Sequence, residues 1–294
     1  DDEAILVYGD YDVDGTTSVA LMYGFLKDKV TKIEYYVPDR YSEGYGVSVQ
    51  GIQWAIDKKF SLIISLDCGI KAFSTVAMAN DHGIDFIICD HHRPDQELPK
   101  ALAVLDPKRV DCEYPYKELS GCGVGFKLIQ GLTKHHNWDE ENLWPYLDLV
   151  AVSIGADIVP ITGENRTLCY FGLKQLENNA RPGLQALLDI AAIKKPYTVT
   201  RIVFGVAPRI NAAGRIKHAN DAVELLITAP WPGNVRQLFN IIEQCVILSP
   251  TQIINRSLVS RALRQKTEKL LSLNEAREQF ERDYLIRLLN LTEG

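Results

Sequence analysis

Three aspartates alternate in GDYDVDGTTS, residues 9–18, at Asp10, Asp12 and Asp14. Carboxylates this close repel one another, and their ionised forms need a cation or a basic neighbour. A divalent metal, or a pair of them, supplies that compensation; a merely solvated acidic turn is the plain alternative. Gly15 permits a tight turn, and Thr16, Thr17 and Ser18 are residue types that cap a helix whose free N–H groups attract an anion. A second acid, Asp67, stands in SLDCG, where a lone aspartate would carry little weight. The run Asp90-His91-His92 puts nitrogen ligands beside oxygen ligands, the mixture that suits Mn, Fe, Zn or Co rather than Ca. His135-His136 reads instead as a surface pair on a polar helix end. Asp157, in GADIVP, closes a largely apolar stretch and needs a partner there, unless it serves only as an Asx-turn or cap. A two-metal site takes roughly 3–4 ligands per ion with a shared carboxylate, and these four segments together suffice. The chemistry such a site favours is hydrolysis of a phosphate ester or anhydride, because bound cations acidify a water and neutralise the transition-state oxygens.

These side chains must be brought together by the elements that precede them. Short apolar runs occur at 4–8, Ile33–Val37, Leu62–Leu66, Phe86–Cys89 and Ala101–Leu105. Helical periodicity fills 16–29, 47–59 and 70–82 between them. Buried strands alternating with helices predict βαβ units and a mainly parallel sheet covered on both faces. Asp10, Asp12, Asp14, Asp67, Asp90, His91 and His92 all follow strand ends, where open parallel sheets form their ligand crevices. After Pro107 the pattern turns helical, at Gly123–His136, Glu141–Ile154, Glu164–Asn178 and Gly183–Ala192. VAPRINAAGR (206–215) reads as turn-rich, and a helix follows near Asn220–Thr228. PWPGNV (230–235) breaks the chain, and 236–248, 255–263 and 273–289 look helical.

Composition sets the outer bounds. The 294 residues carry 32 Lys plus Arg against 38 Asp plus Glu, a net charge of -6, so a nucleic-acid partner would need a local basic patch. Residues 230–294 hold 9 basic and 7 acidic residues, leaving 23 and 31 for 1–229: net charges of +2 and -8. Eighteen of the 20 glycines also precede residue 230. The six cysteines form no CxxC pair and several sit in apolar runs, which suits a reduced, cytoplasmic chain better than a disulfide frame. No stretch of about 18 apolar residues predicts a membrane span. The opening Asp1-Asp2-Glu3 runs directly into a strand, so no signal peptide is expected, and the missing initiator methionine suggests a fragment.

GDYDVDGTTS, SLDCG, CDHH and GADIVP, in this order, resemble the DHH phosphoesterase superfamily. GENR (163–166) and APRINAAGR (207–215) resemble its single-stranded-DNA exonuclease branch, over residues 1–229. The resemblance implies an α/β fold: a DHH catalytic domain at 1–160, then a helical extension at 161–229. It also implies 5′-to-3′ hydrolysis of single-stranded DNA to 5′ mononucleotides, in repair and recombination, with two divalent ions, Mn²⁺ favoured and Mg²⁺ the alternative. By that likeness Asp12 ligates one ion with Asp10 as ligand or support. Asp67 bridges both ions, and Asp14, His91 and Asp157 hold the other. His92 contacts the scissile phosphate and Asp90 orients the histidine pair. Arg209, Asn211 and Arg215 match positions lining the DNA path, where arginine suits phosphate. Arg40, Tyr41, Glu43 and Tyr45 of PDRYSEGYG match a loop near the cleft, whose aromatics can stack on bases. Single-stranded DNA is the implied partner, with repair or single-strand-binding proteins beside it and no membrane. The family's second domain and oligonucleotide-binding fold are not recognisable, so weakened DNA affinity is expected.

Residues 230–294 resemble something else. PWPGNVRQLFNIIEQCVILSP is similar to the C-terminal part of the AAA+ domain of sigma-54-dependent response regulators, and NEAREQFERDYLIRLLNLTEG to the region after it. The chain thus reads as a chimera joined near Ala229–Pro230. Arg236 matches a nucleotide-sensing arginine of that family, but no GxxxxGK[ST] loop exists, so ATP is not expected as a ligand. Rival readings are another DHH phosphoesterase, acting on short RNA, cyclic dinucleotides or pyrophosphate, and a catalytically impaired nucleic-acid-binding fragment. The pentapeptide DVDGT also resembles the signature of haloacid-dehalogenase-type phosphatases, with Asp12 as nucleophile and Asp14 as acid/base, but that leaves Asp10 and the DHH run unexplained.

Overall fold

Five parallel strands carry the fold in this computed structural model, which describes residues 3–216 and 220–227, the side chains of 213–216 and Asp221 excepted. They are β1 (Ala4–Gly9), β2 (Lys32–Tyr36), β3 (Leu62–Leu66), β4 (Asp85–Cys89) and β5 (Ala103–Leu105), in the order β2-β1-β3-β4-β5. Their Val, Ile and Leu content suits strands covered on both faces, and alternate residues divide between two cores. Ile5, Val7, Ile64 and Leu66 enter one cluster; Leu6, Tyr8, Ile63 and Phe86 enter the other.

Helices α1 (Val13–Leu26), α2 (Val49–Asp57) and α3 (Phe73–Asp81) supply the crossovers. α2 and α3 bury Ile52, Ala55, Val76 and Ala79 on the second face. Nearly every residue of α1 is buried, because α1 lies on the sheet and is itself covered by later helices. α4 (Gly121–His136), α5 (Leu147–Ala156), α9 (Ala207–Ile216) and α10 (Asn220–Ile227) cover it, and α6 (Gly163–Asn179), α7 (Pro182–Ile190) and α8 (Val199–Gly205) pack on those helices. The first hydrophobic cluster is continuous from Ile5 on β1 to Leu226 on α10. Since β1 leads outward to β2 and the chain then crosses back to β3, the connection reverses between β1 and β3. That reversal opens a crevice at the carboxyl ends of those two strands.

Three local expectations change. The stretch 141–154 divides into a 3-10 helix at Glu140–Tyr146 and then α5, because Pro145 has no N–H to continue an α-helical ladder. APRINAAGR is helical rather than turn-rich: Pro208 falls in the first turn of α9, where a missing N–H costs nothing, and Ala207 and Ile210 are buried. Thr16, Thr17 and Ser18 do not cap α1. They sit inside it and donate back to the carbonyls of Asp12, Val13 and Asp14, while Asp12 is the cap. The helices expected beyond residue 230 lie outside the described residues. The chain separates into two compact units, Asp1–Pro232 and Gly233–Gly294. Among the described residues no helix is long and apolar enough to cross a membrane.

Candidate metal centre

The crevice gathers one histidine nitrogen and three carboxylates. His91 Nε2 lies 3.1 Å from Asp67 Oδ1, 3.6 Å from Asp157 Oδ2 and 3.7 Å from Asp14 Oδ2. Among the described residues, two sets of three donor atoms lie close enough to grip an ion: Asp67, His91 and His92, and Asp14, His91 and Asp157.

Each side chain is placed by its element. Asp12 caps α1, its Oδ1 accepting from the Gly15 N–H at 2.8 Å. Gly15 is needed there, because a Cβ would stand 2.4 Å from the Asp10 carbonyl oxygen. Asp14, in the first turn of α1, is locked across to two other helices. The N–H groups of Gly121 and Cys122, at the start of α4, donate to it at 2.7 and 2.8 Å, and the Ser153 hydroxyl of α5 at 2.6 Å. It is thus the anion on the α4 N-terminus, and Oδ2 keeps room for a further partner. Asp67 continues the β3 ladder through its N–H to Cys89 O, then takes a left-handed φ of 60°. This unfavourable backbone turns the chain at a ligand position, as strained residues do at functional sites. Gly121 leaves the space for it: a Cβ would lie 2.5 Å from Asp67 Oδ1. Asp157 ends α5, and Asn165 of the GENR segment, fully buried, fastens the following loop by donating to Pro160 O at 3.1 Å.

The electrostatics are those of crowded acids. Burial, then the Asp14 and Asp12 charges, push Asp67 well above the ordinary carboxylate range. Burial and then Asp12 push Asp10 up to about 7, and one buried oxygen of Asp10 has no partner. Burial and the Asp14 charge raise Asp157 to about 6, and the same two causes raise Asp12. Asp90 moves the opposite way. Burial would raise it, but the His92 hydrogen bond and charge and the Ile70 N–H outweigh that and hold it low. Its Oδ1 accepts from the His92 Nδ1 at 2.7 Å and from the His91 N–H at 2.7 Å. The hydrogen bond to Asp90, against the opposing effect of burial, raises His92 above the ordinary histidine value. His92 turns its Nε2 to the cleft, 3.4 Å from the Tyr45 hydroxyl.

Of the residues singled out in the sequence, Asp12, Asp14, Asp67, Asp90, His91, His92 and Asp157 converge. Asp10 adjoins them, and neither Asp10 nor Asp12 belongs to either donor set. Tyr41 is 80% exposed, on a loop organised by Glu43, which accepts from Tyr36 and Ser48 hydroxyls and the Asp39 N–H. In that loop Arg40 lies over the Tyr11 ring at 5.2 Å, and Tyr45 meets Tyr11 edge-on. Arg209 of α9 donates to Gly205 O at 2.6 Å rather than to the acids, and Asn211 stands two residues on, half-buried. The Arg215 side chain lies outside the described residues. Sequence reasoning missed Ser153 and Gly121. A serine inside an apolar helix and a glycine at a helix start give no signal until the partner is seen.

The sequence model described as the DHH family, N-terminal domain, matches residues 4–154. A second model, the AAA+ ATPase lid domain, matches residues 207–275. The chain is 42% identical over 228 residues to the single-stranded-DNA-specific exonuclease RecJ of Bacillus subtilis, covering 77% of this chain and 28% of that protein. It is 37% identical over 235 residues to RecJ of Escherichia coli, covering 76% of this chain and 41% of that one. It is also 50% identical over 76 residues to the transcriptional regulatory protein GlrR of E. coli, covering 26% of this chain and 17% of that protein. Among solved structures, exonuclease RecJ bound to manganese superposes with a TM-score of 0.70 at 27% identity, covering 98% of this chain and 65% of that chain. The chain therefore spans 28% and 41% of the lengths of these two nucleases.

Proposed function

The chain belongs to the DHH family, and from that premise we propose that it is a metal-dependent phosphodiesterase that removes 5′ mononucleotides from single-stranded DNA in the 5′-to-3′ direction. One observation carries the reading: three carboxylates surround His91 Nε2 in a buried crevice where, without a cation, Asp67 is forced far above its ordinary range. The crowded acids and the mixed nitrogen and oxygen donors fit a pair of Mn²⁺ or Mg²⁺ ions. Asp12, Asp14, Asp67, His91 and Asp157 would hold them, with Asp10 supporting Asp12. Bound there, the ions supply an acidified water and charge neutralisation at the phosphoryl oxygens.

The remaining work falls to side chains of this chain. His92, its ring fixed by Asp90 and its Nε2 facing the cleft, donates a hydrogen bond to a phosphoryl oxygen and stabilises charge there. Arg40, which lies over the Tyr11 ring, would contact phosphate, and Tyr41 and Tyr45 offer exposed faces on which bases would stack. By the likeness to the family, Arg209, Asn211 and Arg215 would line the DNA path. The RecJ nucleases, 42% and 37% identical to this chain over 228 and 235 residues, support single-stranded DNA as substrate. A cytoplasmic location, with repair or single-strand-binding proteins as partners, accords with that substrate.

The test is release of 5′ mononucleotides from labelled single-stranded DNA with Mn²⁺, set against short RNA and pyrophosphate. Activity is expected on the DNA, and Asp67→Ala or His91→Ala should abolish it. Equal activity in EDTA, or survival of both substitutions, overturns the assignment. A preference for RNA or pyrophosphate keeps the chemistry and replaces the substrate.

A further inference from the structure

We propose that Asp106 is a positioning residue that accepts the Nδ1 proton of His91 and so keeps the Nε2 lone pair available to an ion held among Asp67, Asp14 and Asp157; the proposal rests on the metal reading above. A neutral imidazole that coordinates through Nε2 carries its proton on Nδ1. In metal sites that second N–H is as a rule taken by a carboxylate, carbonyl or water, which fixes the tautomer. His91 is 4% exposed, and its Nδ1 is buried without a partner. Asp90, the neighbouring acid, is fully engaged, by the N–H groups of Ile70, His91 and His92 and by the His92 ring.

Asp106 has the complementary deficit. It is 3% exposed, one oxygen accepts from the Lys108 N–H at 2.7 Å, and the other is buried with no partner. The sheet register brings the two deficits together. β5 pairs beside β4 with Leu105 opposite Cys89, and the Asp90 N–H donates to Leu105 O at 3.0 Å. Asp106 therefore leaves β5 beside the point where His91 leaves β4. Burial raises the Asp106 carboxyl to about 6, and His91 is close enough to act against that rise. Two other buried carboxylate oxygens lack a partner among the described residues. Asp67 Oδ1 is the atom facing Nε2, and Asp10 follows β1, two strands away. Asp106 also lines a cavity of about 230 Å³ whose walls include Leu105, Leu119 and Val124. The side chain thus has space to turn.

The experiment uses the full chain labelled with ¹⁵N-histidine, metal-free at pH 8, with His91 assigned by the signals lost in His91→Asn. Long-range proton–nitrogen spectra should show the Nδ1–H tautomer in the wild type. Asp106→Leu, and Asp106→Ala should the leucine variant fail to fold, should populate the Nε2–H form and weaken Mn²⁺ binding by titration calorimetry about 10–100-fold. Asp106→Asn keeps one oxygen acceptor and should restore the Nδ1–H tautomer. The inference is overturned if His91 remains Nδ1–H without the carboxylate, or if Mn²⁺ affinity is unchanged. A tautomer that follows Asp106 in a protein that binds no Mn²⁺ would instead sink the metal reading and leave the positioning role standing.

Discussion

Metal-free protein should lose stability as pH rises through the acid range, and a single substitution, Asp10→Asn, isolates the effect. Asp10 is fully buried and held at about 7 against an ordinary 3.8. At about 1.4 kcal/mol per pH unit, its ionisation in the folded state is roughly 4 kcal/mol less favourable than in the unfolded chain. The sign follows from the raised value. Below pH 4 the carboxyl is protonated in both states and the contribution is fully present. Between about pH 4 and 7 the unfolded chain ionises first, so stability falls, and above pH 7 the loss is complete. For a unit of this size each kcal/mol moves the Tm by about 2–4 °C, so the fall should approach roughly ten degrees. Asn cannot ionise, yet its oxygen can still accept the Tyr11 N–H as Asp10 does at 2.6 Å. Its Tm should therefore lack this fall, and the difference between the variant and the wild type in EDTA should grow from pH 4 to 7 and then level off. Fluorescence of Trp54, Trp138 and Trp144 follows unfolding of the α/β unit. Mn²⁺ should raise the wild-type Tm more at pH 8 than at pH 5, because the donors must be ionised to bind. A difference curve that is flat with pH, or a Mn²⁺ effect equal at both values, would refute the reasoning.

Other perturbations test separate contacts. Gly121→Ala drives a Cβ into the Asp67 carboxylate, so Mn²⁺ affinity measured by calorimetry should drop at least about tenfold with the fold retained by circular dichroism. Asp14→Asn sets an amide NH₂ against donors from Gly121, Cys122 or Ser153 and removes the charge on the α4 N-terminus. Urea unfolding should register a loss of about 2–4 kcal/mol. Asp90→Asn removes the carboxylate that raises His92, so the His92 titration followed by NMR should move down towards the ordinary histidine value, and the pH range of activity should narrow from its alkaline side.

The parallel sheet and most of the donors were readable because both follow from local rules. Apolar runs of strand length named the five strands, and acids placed just after them could only meet at one sheet edge. What the sequence hid depends on distant backbone. Asp14 reads as a ligand beside Asp10 and Asp12, yet most of its hydrogen-bonding capacity ties α1 to α4 and α5. The donors on α4 and α5 lie more than a hundred residues away, beyond any periodicity argument. Asp106 passes unnoticed in ALAVLDP because an Asp-Pro step after a strand ordinarily signals a turn. APRINAAGR misleads in the other direction: its proline and glycine suggest a loop, but the proline falls in the helix's first turn and the apolar residues find a core.

The acidic balance of the chain also changes meaning once burial is known. Asp10, Asp14, Asp67, Asp90 and Asp106 are each no more than 3% exposed, so their charges are screened from an approaching polyanion mainly by what they bind inside. Asp14 is compensated by a helix terminus and Asp90 by His92. On the proposed reading two divalent ions would add +4 to the -8 of residues 1–229 and concentrate that positive charge in the crevice. A nucleic acid meeting this face would then encounter bound cations flanked by His92 and Arg40, not the formal sum of the side chains. Net charge therefore does not argue against DNA for an active site whose acids are buried ligands. It does predict that DNA affinity, not only turnover, should depend on the metal, and binding of single-stranded DNA by the His92→Ala variant should strengthen with Mn²⁺ and weaken again with EDTA.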